Sequence, residues 1–199
     1  VELQASHPGI GELRLVYPCL DRLANADTSA AQNGQNPPLQ AWVNPPARLS
    51  PYPLHAERIA RSVILHTHNQ NEQLWVSEHL LKSGCCRALV CWSPSLSTAT
   101  AKRLQLAAKE GKCLAFIIRY GDHDAHSLPL SARLRLKPVA QGLEVEIIKR
   151  QQSWPTPPFV LDLQSAWPQL FYPAATAPVQ ATAPDNIIAF PGVQAEPTR

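Results

Sequence analysis

The hydrophobic positions along the chain follow two patterns, continuous apolar runs and amphipathic segments with helical spacing. Candidate strands lie at 1–6, 39–43, 62–65, 87–92 and 113–118, and the last two are almost wholly apolar. Segments with apolar side chains three or four residues apart occur at 12–24, 71–83 and 98–110. Such strands alternating with amphipathic helices predict an α/β fold with a mostly parallel sheet and crossover helices.

Helix boundaries are marked by ordinary start and stop residues. Ser97 is suited to cap the third helix, because a serine oxygen can accept a free N–H of the first turn. Gly84 and Gly111 follow the last periodic residues of the second and third helices, as C-terminal glycines do. Pro18 lies inside the first helical pattern. We therefore expect that helix to be kinked or shorter than its pattern suggests.

The pattern changes to strict alternation after residue 130. Residues 133–136 and 143–147 alternate with period two around a turn that contains Pro138 and Gly142. This predicts an antiparallel β-hairpin with one buried face, followed by a last strand at 159–163. The polar stretch at 27–38 predicts a loop insertion. Residues 1–163 then form one domain, and 164–199, rich in alanine and proline, are predicted to be a disordered tail.

Composition excludes several classes of protein. The net charge of +3 permits an acidic partner without requiring nucleic acid. The chain has no apolar stretch of bilayer length and no signal peptide, so we expect a cytoplasmic protein that does not enter a membrane. The five cysteines form no Cys-x-x-Cys pair, which favours buried reduced thiols over a metal site.

A glycine-containing turn between the first strand and helix is where an α/β protein would carry a phosphate loop. The consensus of that loop is Gly-x-x-x-x-Gly-Lys-Ser/Thr. When Gly11 is aligned with its second glycine, Ser6 stands at the position of the first glycine and Gly9 lies inside the loop. Glu12 then replaces the lysine, and Leu13 replaces the hydroxyl that would bind magnesium. A carboxylate repels phosphate and leucine cannot hold a metal, so the loop is predicted to be degenerate.

The strand that should supply an acidic metal ligand also lacks it. Residues 89–91 run into Trp92 and Ser93, where a nucleotide hydrolase would carry an aspartate or glutamate. With two elements missing, we expect no enzyme activity and no cofactor. A residual ATPase with an unusual loop stays as an alternative. The histidines of 66–68 and 123–126 have no third ligand at a convincing spacing, so polar strand ends and loops are expected there.

Several short segments together resemble a known family. They are Gly-Glu-Leu-Arg-Leu at 11–15, Leu-Lys-Ser-Gly at 81–84, Ala-Leu-Val-Cys-Trp at 88–92, Arg-Leu-Gln-Leu-Ala-Ala at 103–108, Gly111, Ala-Phe-Ile-Ile-Arg at 115–119 and Glu-Ile-Ile-Lys-Arg at 146–150. Their order and spacing resemble the translesion DNA synthesis-associated ImuA family over roughly residues 1–163. The central part is also similar to the related cell division inhibitor SulA.

The resemblance to ImuA implies a RecA-like fold and a role in the SOS response. It implies action with an ImuB-type polymerase-like protein and an error-prone C-family DNA polymerase, with RecA as a further candidate partner. The resemblance to SulA implies an alternative, inhibition of cell division by binding FtsZ. The hairpin at 133–149 and the last strand lie beyond the part shared with SulA, and they favour ImuA.

A protein without catalysis must act through its surfaces. The hairpin and its flank carry a basic strip composed of Arg133, Arg135, Lys137, Lys149 and Arg150, which predicts weak binding of DNA phosphates or an acidic protein. The alternative, favoured because the charges of the two strands match, is that Arg133 and Arg135 pair across the hairpin with Glu144 and Glu146.

Tryptophans and tail residues offer a second kind of surface. Trp154 and Trp167 lie among prolines and are predicted partner contacts, as are Leu170 and Phe171 in the tail. Trp75, on an amphipathic helix, is assigned to the core. Lysines 102, 109 and 112 with Arg103 are assigned to a solvated helix face.

Overall fold

The computed structural model describes residues 1–26, 38–49, 61–121, 128–151 and 156–165. Its elements are β1 (Glu2–Ala5), α1 (Glu12–Ala26), β2 (Leu39–Val43), β3 (Ser62–Leu65), α2 (Gln70–Lys82), β4 (Cys86–Trp92), α3 (Thr98–Glu110), β5 (Leu114–Tyr120), β6 (Ala132–Val139), β7 (Gly142–Arg150) and β8 (Phe159–Asp162). Each predicted strand and helix is present, with ends that differ from the prediction by at most three residues. The α/β class is confirmed.

The strands form one sheet in the order β3-β2-β4-β5-β1-β6-β7-β8. All pairings from β3 to β6 are parallel, while β6 with β7 and β7 with β8 are antiparallel. A mostly parallel sheet with an antiparallel C-terminal hairpin is therefore confirmed. β1 lies between β5 and β6, so the loop that follows β1 opens at the carboxyl edge of the central strands.

Each face of the sheet has its own core. On one face Val16, Tyr17 and Leu20 of α1 pack against strand residues that include Trp42 and Ile118. The other face carries α2 and α3, which bury residues such as Leu81, Leu104 and Ala107 against β4 and β5. Strands buried on both faces read as continuous apolar runs, and this explains the sequence pattern of 87–92 and 113–118.

A kink or a shorter helix was expected at Pro18; helix α1 continues to Ala26, so the shorter helix is wrong. Proline removes a helical hydrogen bond, but here its ring lies on the exposed side of the helix. The buried stripe of Val16, Tyr17 and Leu20 flanks it and holds the helix on the sheet. Tertiary packing outweighs the local cost.

Two predicted helix ends behave differently. The side chain of Ser97 accepts a hydrogen bond from the N–H of Thr100 at 3.1 Å, which confirms the predicted cap. Gly111 follows the last residue of α3 as predicted, with a φ of −84° that any residue can adopt. It is required for space instead, because a Cβ there would lie 1.8 Å from the carbonyl oxygen of Leu81.

Gly111→Ala should lower the free energy of unfolding by about 3 kcal/mol, since α2 and the end of α3 must separate to admit one methyl group. Gly84→Ala is the matched control. Gly84 has a φ of 69° but open space around it, so a cost of about 1 kcal/mol is expected from backbone conformation alone. Urea unfolding of both variants measures the difference. Equal costs would contradict the close approach at Gly111.

The five cysteines are all free. Cys86, Cys91 and Cys113 are buried as predicted, and burial raises the pKa of the Cys91 thiol to about 11. Cys19 and Cys85 are exposed, which corrects the prediction of an all-buried set. Cys19 projects from the solvent side of α1, next to Pro18, and Cys85 lies in the turn before β4. Three of the thiols are therefore core residues with little tendency to ionise.

Several predictions fall outside the described residues. These are the polar insertion at 27–37, the loop histidines at 123 and 126, and the disordered tail beyond residue 165. Within the described part, no group of three or more potential ligands could hold a metal ion. None of the helices described there has the length and apolar character needed to cross a bilayer.

Candidate functional site at the carboxyl edge of the sheet

The loop between β1 and α1 is hydrogen-bonded to the side chain of Glu12, the first residue of α1. Gly9 and Gly11 adopt φ values of 83° and 110°, which turn their N–H groups toward the start of α1. The carboxylate of Glu12 accepts both, from Gly9 at 3.2 Å and from Gly11 at 3.1 Å. In a phosphate-binding loop such N–H groups donate to the phosphate of a nucleotide. Here they donate to the carboxylate of Glu12 instead.

The same carboxylate is held by residues from two neighbouring strand ends. The hydroxyl of Tyr120, at the end of β5, donates to Glu12 Oε1 at 2.9 Å. The indole N–H of Trp92, at the end of β4, donates to the Tyr120 oxygen at 2.9 Å. Trp92 occupies the strand end where a hydrolase would carry its acidic residue. Glu12 is buried, and its partners leave no open side for a phosphate.

Sequence reasoning found Glu12 and Trp92 but missed Tyr120. The only local signal was its place between an apolar run and Gly121. Burial, with the nearby negative charge of Glu12 as the next cause, raises the pKa of the Tyr120 phenol well above its ordinary range. Burial and the same carboxylate also raise the pKa of Tyr17. The two tyrosines therefore stay protonated beside Glu12.

Stability should fall at alkaline pH through Tyr120. Its folded pKa lies above the ordinary value of 10.0, so the neutral phenol stabilises the fold fully below pH 10. This contribution is lost as the pH rises from 10 through the folded pKa. In Tyr120→Phe the loss of stability between pH 9 and pH 11 should be shallower than in the wild type. Thermal unfolding across that range measures it, and parallel curves would contradict the link between Tyr120 and Glu12.

A cavity of about 420 Å³ opens beside this loop, between the ends of β1 and β6. Its polar lining comes from Gln4, Ser6, Arg135 and Lys137. The structure thus brings one residue of the predicted phosphate loop next to two residues of the predicted basic strip. This position at the carboxyl ends of parallel strands is where α/β proteins bind their ligands.

The cations of this cavity already have partners. Arg135 Nη1 lies 2.8 Å from Glu146, and Lys137 Nζ lies 3.7 Å from Glu144. Both pairs are partly exposed, so each contributes at most about 1 kcal/mol to stability. They nevertheless reduce the attraction of the cavity for an added anion. The expected cross-hairpin pairing is correct for Arg135 with Glu146.

Arg133 does not pair across the hairpin, and that part of the prediction is wrong. A register shift after Arg133 places it opposite Lys149. Its Nε atom lies 2.9 Å from Glu2 Oε2 on the other side, in β1. Glu2 Oε1 also lies 3.0 Å from Arg119 Nη1 in β5, and Gln4 donates to it. The result is a buried Arg-Glu-Arg triad, in which Glu2 is fully buried.

The predicted basic strip is therefore divided. Arg133 is 5% exposed and belongs to the interior of the sheet. Lys149 is half-buried, and its ammonium group donates to the carbonyl of Leu128 at 2.9 Å. Lys137 and Arg150 are the exposed members. Arg133 and Lys149 stabilise the fold instead of forming a binding surface.

The tryptophans also separate into two groups. Trp42 and Trp92 belong to the core, where their rings stack with centroids 6.3 Å apart. Trp75, assigned to the core from its sequence, is 59% exposed on α2, because Gln73, Ser77 and Leu81 form the buried face of that helix. The predicted contacts Trp154, Trp167, Leu170 and Phe171 lie outside the described residues.

Comparisons with known proteins add a likeness in structure. No protein-family model matches the chain, and no curated protein matches it. The crystal structure of SulA from Pseudomonas aeruginosa is 26% identical and covers 61% of this chain and 97% of that chain, with a TM-score of 0.42. The chain is similar to SulA at that level only. A TM-score this low does not assign a function.

Proposed function

We propose that this chain is a non-catalytic adaptor that binds protein partners during SOS-induced, error-prone translesion DNA synthesis, with a RecA-like domain as its scaffold. The observation that carries this proposal is the Glu12 carboxylate, which takes the loop N–H groups that a phosphate would need. A protein whose loop is closed by its own anion has no use for a nucleotide there, and its function lies in binding other molecules.

Nucleotide hydrolysis is opposed by the neighbours of Glu12 as well. Leu13 packs against the core where a hydroxyl would hold magnesium. Trp92, in place of an acidic metal ligand, donates its N–H to Tyr120. A bound nucleotide would have to displace Glu12 and break this chain of hydrogen bonds. The residual ATPase is therefore the weakest of the three functions that the sequence allows.

The identity of the partners rests on the resemblance of the sequence to the ImuA family. This resemblance implies an ImuB-type polymerase-like protein and a C-family DNA polymerase as partners, with RecA as a third candidate. The sheet contains the hairpin β6–β7 and the strand β8, which lie beyond the part of the sequence shared with SulA. The presence of these strands supports the resemblance to ImuA over that to SulA. FtsZ is the partner that the SulA alternative implies.

Size-exclusion chromatography of the purified chain with its ImuB-type protein, and separately with FtsZ, tests the proposal. A complex with the ImuB-type protein alone supports the adaptor role. A complex with FtsZ alone makes the chain a division inhibitor. The same sample heated with and without Mg-ATP tests the third function, and we expect the melting temperature to stay unchanged because Glu12 fills the loop. Stabilisation by Mg-ATP would favour an ATPase.

Direct binding of DNA should be weak and only slightly sensitive to salt. Each phosphate contact adds about −0.9 to the slope of log K against log salt concentration. Lys137 and Arg150 are the exposed cations of the hairpin strip, so a slope no steeper than about −2 is expected from this surface. Fluorescence anisotropy with a labelled duplex over a salt series measures it. A much steeper slope would show that another surface binds DNA.

A further inference from the structure

The outward side of the α2–α3 layer exposes two large apolar side chains. Trp75 is 59% exposed on α2, and Leu106 is 57% exposed on α3. Exposed tryptophans are uncommon on soluble domains and are enriched among the residues that dominate binding energy at interfaces. We call Trp75, Leu106, Lys102, Lys109 and Lys112 the outer helical face.

Trp75 is held in place before any partner arrives. Its ring lies 4.1 Å from the imidazole of His79, centroid to centroid, and His79 Nδ1 lies 2.8 Å from the carbonyl oxygen of Trp75. The register of α2 is set on the opposite side, where Gln73 donates to the carbonyl of Trp92 at 2.6 Å. An indole that is already ordered loses little conformational entropy when it is covered, which favours tight binding.

The lysines of this face have no ion-pair partner within the described part of the chain. On α3, Lys102 lies about one turn before Leu106 and Lys109 about one turn after it, and Lys112 follows the end of the helix. By contrast, Lys82 and Arg103 nearby are both paired with Glu78. Glu110 is the exposed acidic residue among the three lysines, so the face keeps an excess of positive charge. Its complement is an acidic surface.

We propose that the outer helical face binds an acidic segment of a protein partner that also carries an apolar side chain, with Trp75 as the main anchor. This proposal rests on the adaptor function and names the surface that would perform it. The apolar side chain would cover Trp75 and Leu106, while carboxylates would lie along Lys102, Lys109 and Lys112. Phe159 and Val160, which are also exposed, lie on the edge strand β8, whose own four residues include no lysine or arginine.

Binding of the full chain to its ImuB-type protein, measured by titration, tests the surface. Trp75→Ala should weaken the affinity about 30-fold, the loss typical of a central anchor residue. Lys102→Glu and Lys109→Glu should each weaken it several-fold and reduce its dependence on salt. Phe159→Ala and Arg22→Glu are matched controls, one an exposed aromatic on β8 and one an exposed cation on α1, and both should bind like the wild type.

A labelled peptide rich in glutamate, with one Leu-Phe pair, tests the surface independently of the partner. The wild-type chain should bind it at low salt, and Trp75→Ala should bind it at least tenfold more weakly. Circular dichroism and thermal unfolding verify that the variants are folded. Peptide binding without an ImuB-type complex would remove the proposed function and keep the surface. If the wild type binds neither probe, or if Trp75→Ala binds both as well as the wild type, the surface proposal is wrong.

Discussion

Replacing Glu2 with glutamine should lower the free energy of unfolding by about 3–5 kcal/mol, a large part of the total stability of an ordinary domain. Among the described residues, Glu2 is the carboxylate that contacts both Arg119 and Arg133 in the buried triad, with distances of 3.0 and 2.9 Å to their guanidinium groups. A neutral amide removes the carboxylate that both guanidinium groups contact in the interior of the sheet. Urea unfolding at constant slope measures the loss.

Two further variants test whether the loss of stability is specific to the buried triad or follows any loss of a charge in the sheet. Glu144→Gln breaks the exposed pair with Lys137 and should cost less than about 1 kcal/mol. The triple change Glu2→Leu, Arg119→Met and Arg133→Met removes all three charges, and it should recover most of the stability lost in Glu2→Gln. A loss below about 1 kcal/mol in Glu2→Gln would show that water or another group compensates the arginines.

Glu12→Ala should lower the free energy of unfolding by about 3 kcal/mol. The change removes the acceptor of the Gly9 and Gly11 N–H groups and of the Tyr120 hydroxyl, all close to a buried helix start. The freed N–H groups should then accept an external anion, as helix N-termini with glycine turns do. Inorganic phosphate should therefore raise the melting temperature of Glu12→Ala and leave that of the wild type unchanged.

Glu72→Ala is the matched control for this experiment. Glu72 also lies in the first turn of a helix, α2, and its carboxylate accepts the N–H of His68 at 2.8 Å. That site has no glycine turn and no tyrosine, so a loss of about 1 kcal/mol without rescue by phosphate is expected. If phosphate stabilised neither Glu12→Ala nor Glu72→Ala, the loop would not be a phosphate loop occupied by its own side chain.

The elements of this fold could be predicted because their signals are local. The apolar residues of 87–92 and 113–118 are nearly continuous, which distinguishes these strands from the amphipathic helix between them. Ser97 caps that helix, α3, as expected. The mismatch with a phosphate loop could also be predicted from the sequence. The carboxylate of Glu12 repels phosphate, and Leu13 cannot bind magnesium, whatever surrounds them. Pro18 was misjudged because the same local rule ignores which side of α1 is buried.

The charges could not be assigned in this way. Arg133 and Arg135 have the same alternation in the sequence, yet one is buried against Glu2 and the other is partly exposed beside Glu146. The difference depends on β1 lying next to β6 and on a register shift in the hairpin, and neither leaves a sequence signal. Trp75 was misplaced for a similar reason, since its helix buries the polar residues Gln73 and Ser77.

The strands, the helices, the C-terminal hairpin and the absence of a phosphate-loop consensus at 6–13 could be predicted, because each depends on side chains a few positions apart. Three features required the folded chain: Tyr120, which accepts from Trp92, meets Glu12; Arg119 and Arg133 share Glu2; and Trp75 faces outward. These contacts join strands far apart in the chain, and their geometry follows from the order β5-β1-β6 and from the packing of α2. Sheet order is a property of the whole fold, so the chemistry built on it appears only when the fold is complete.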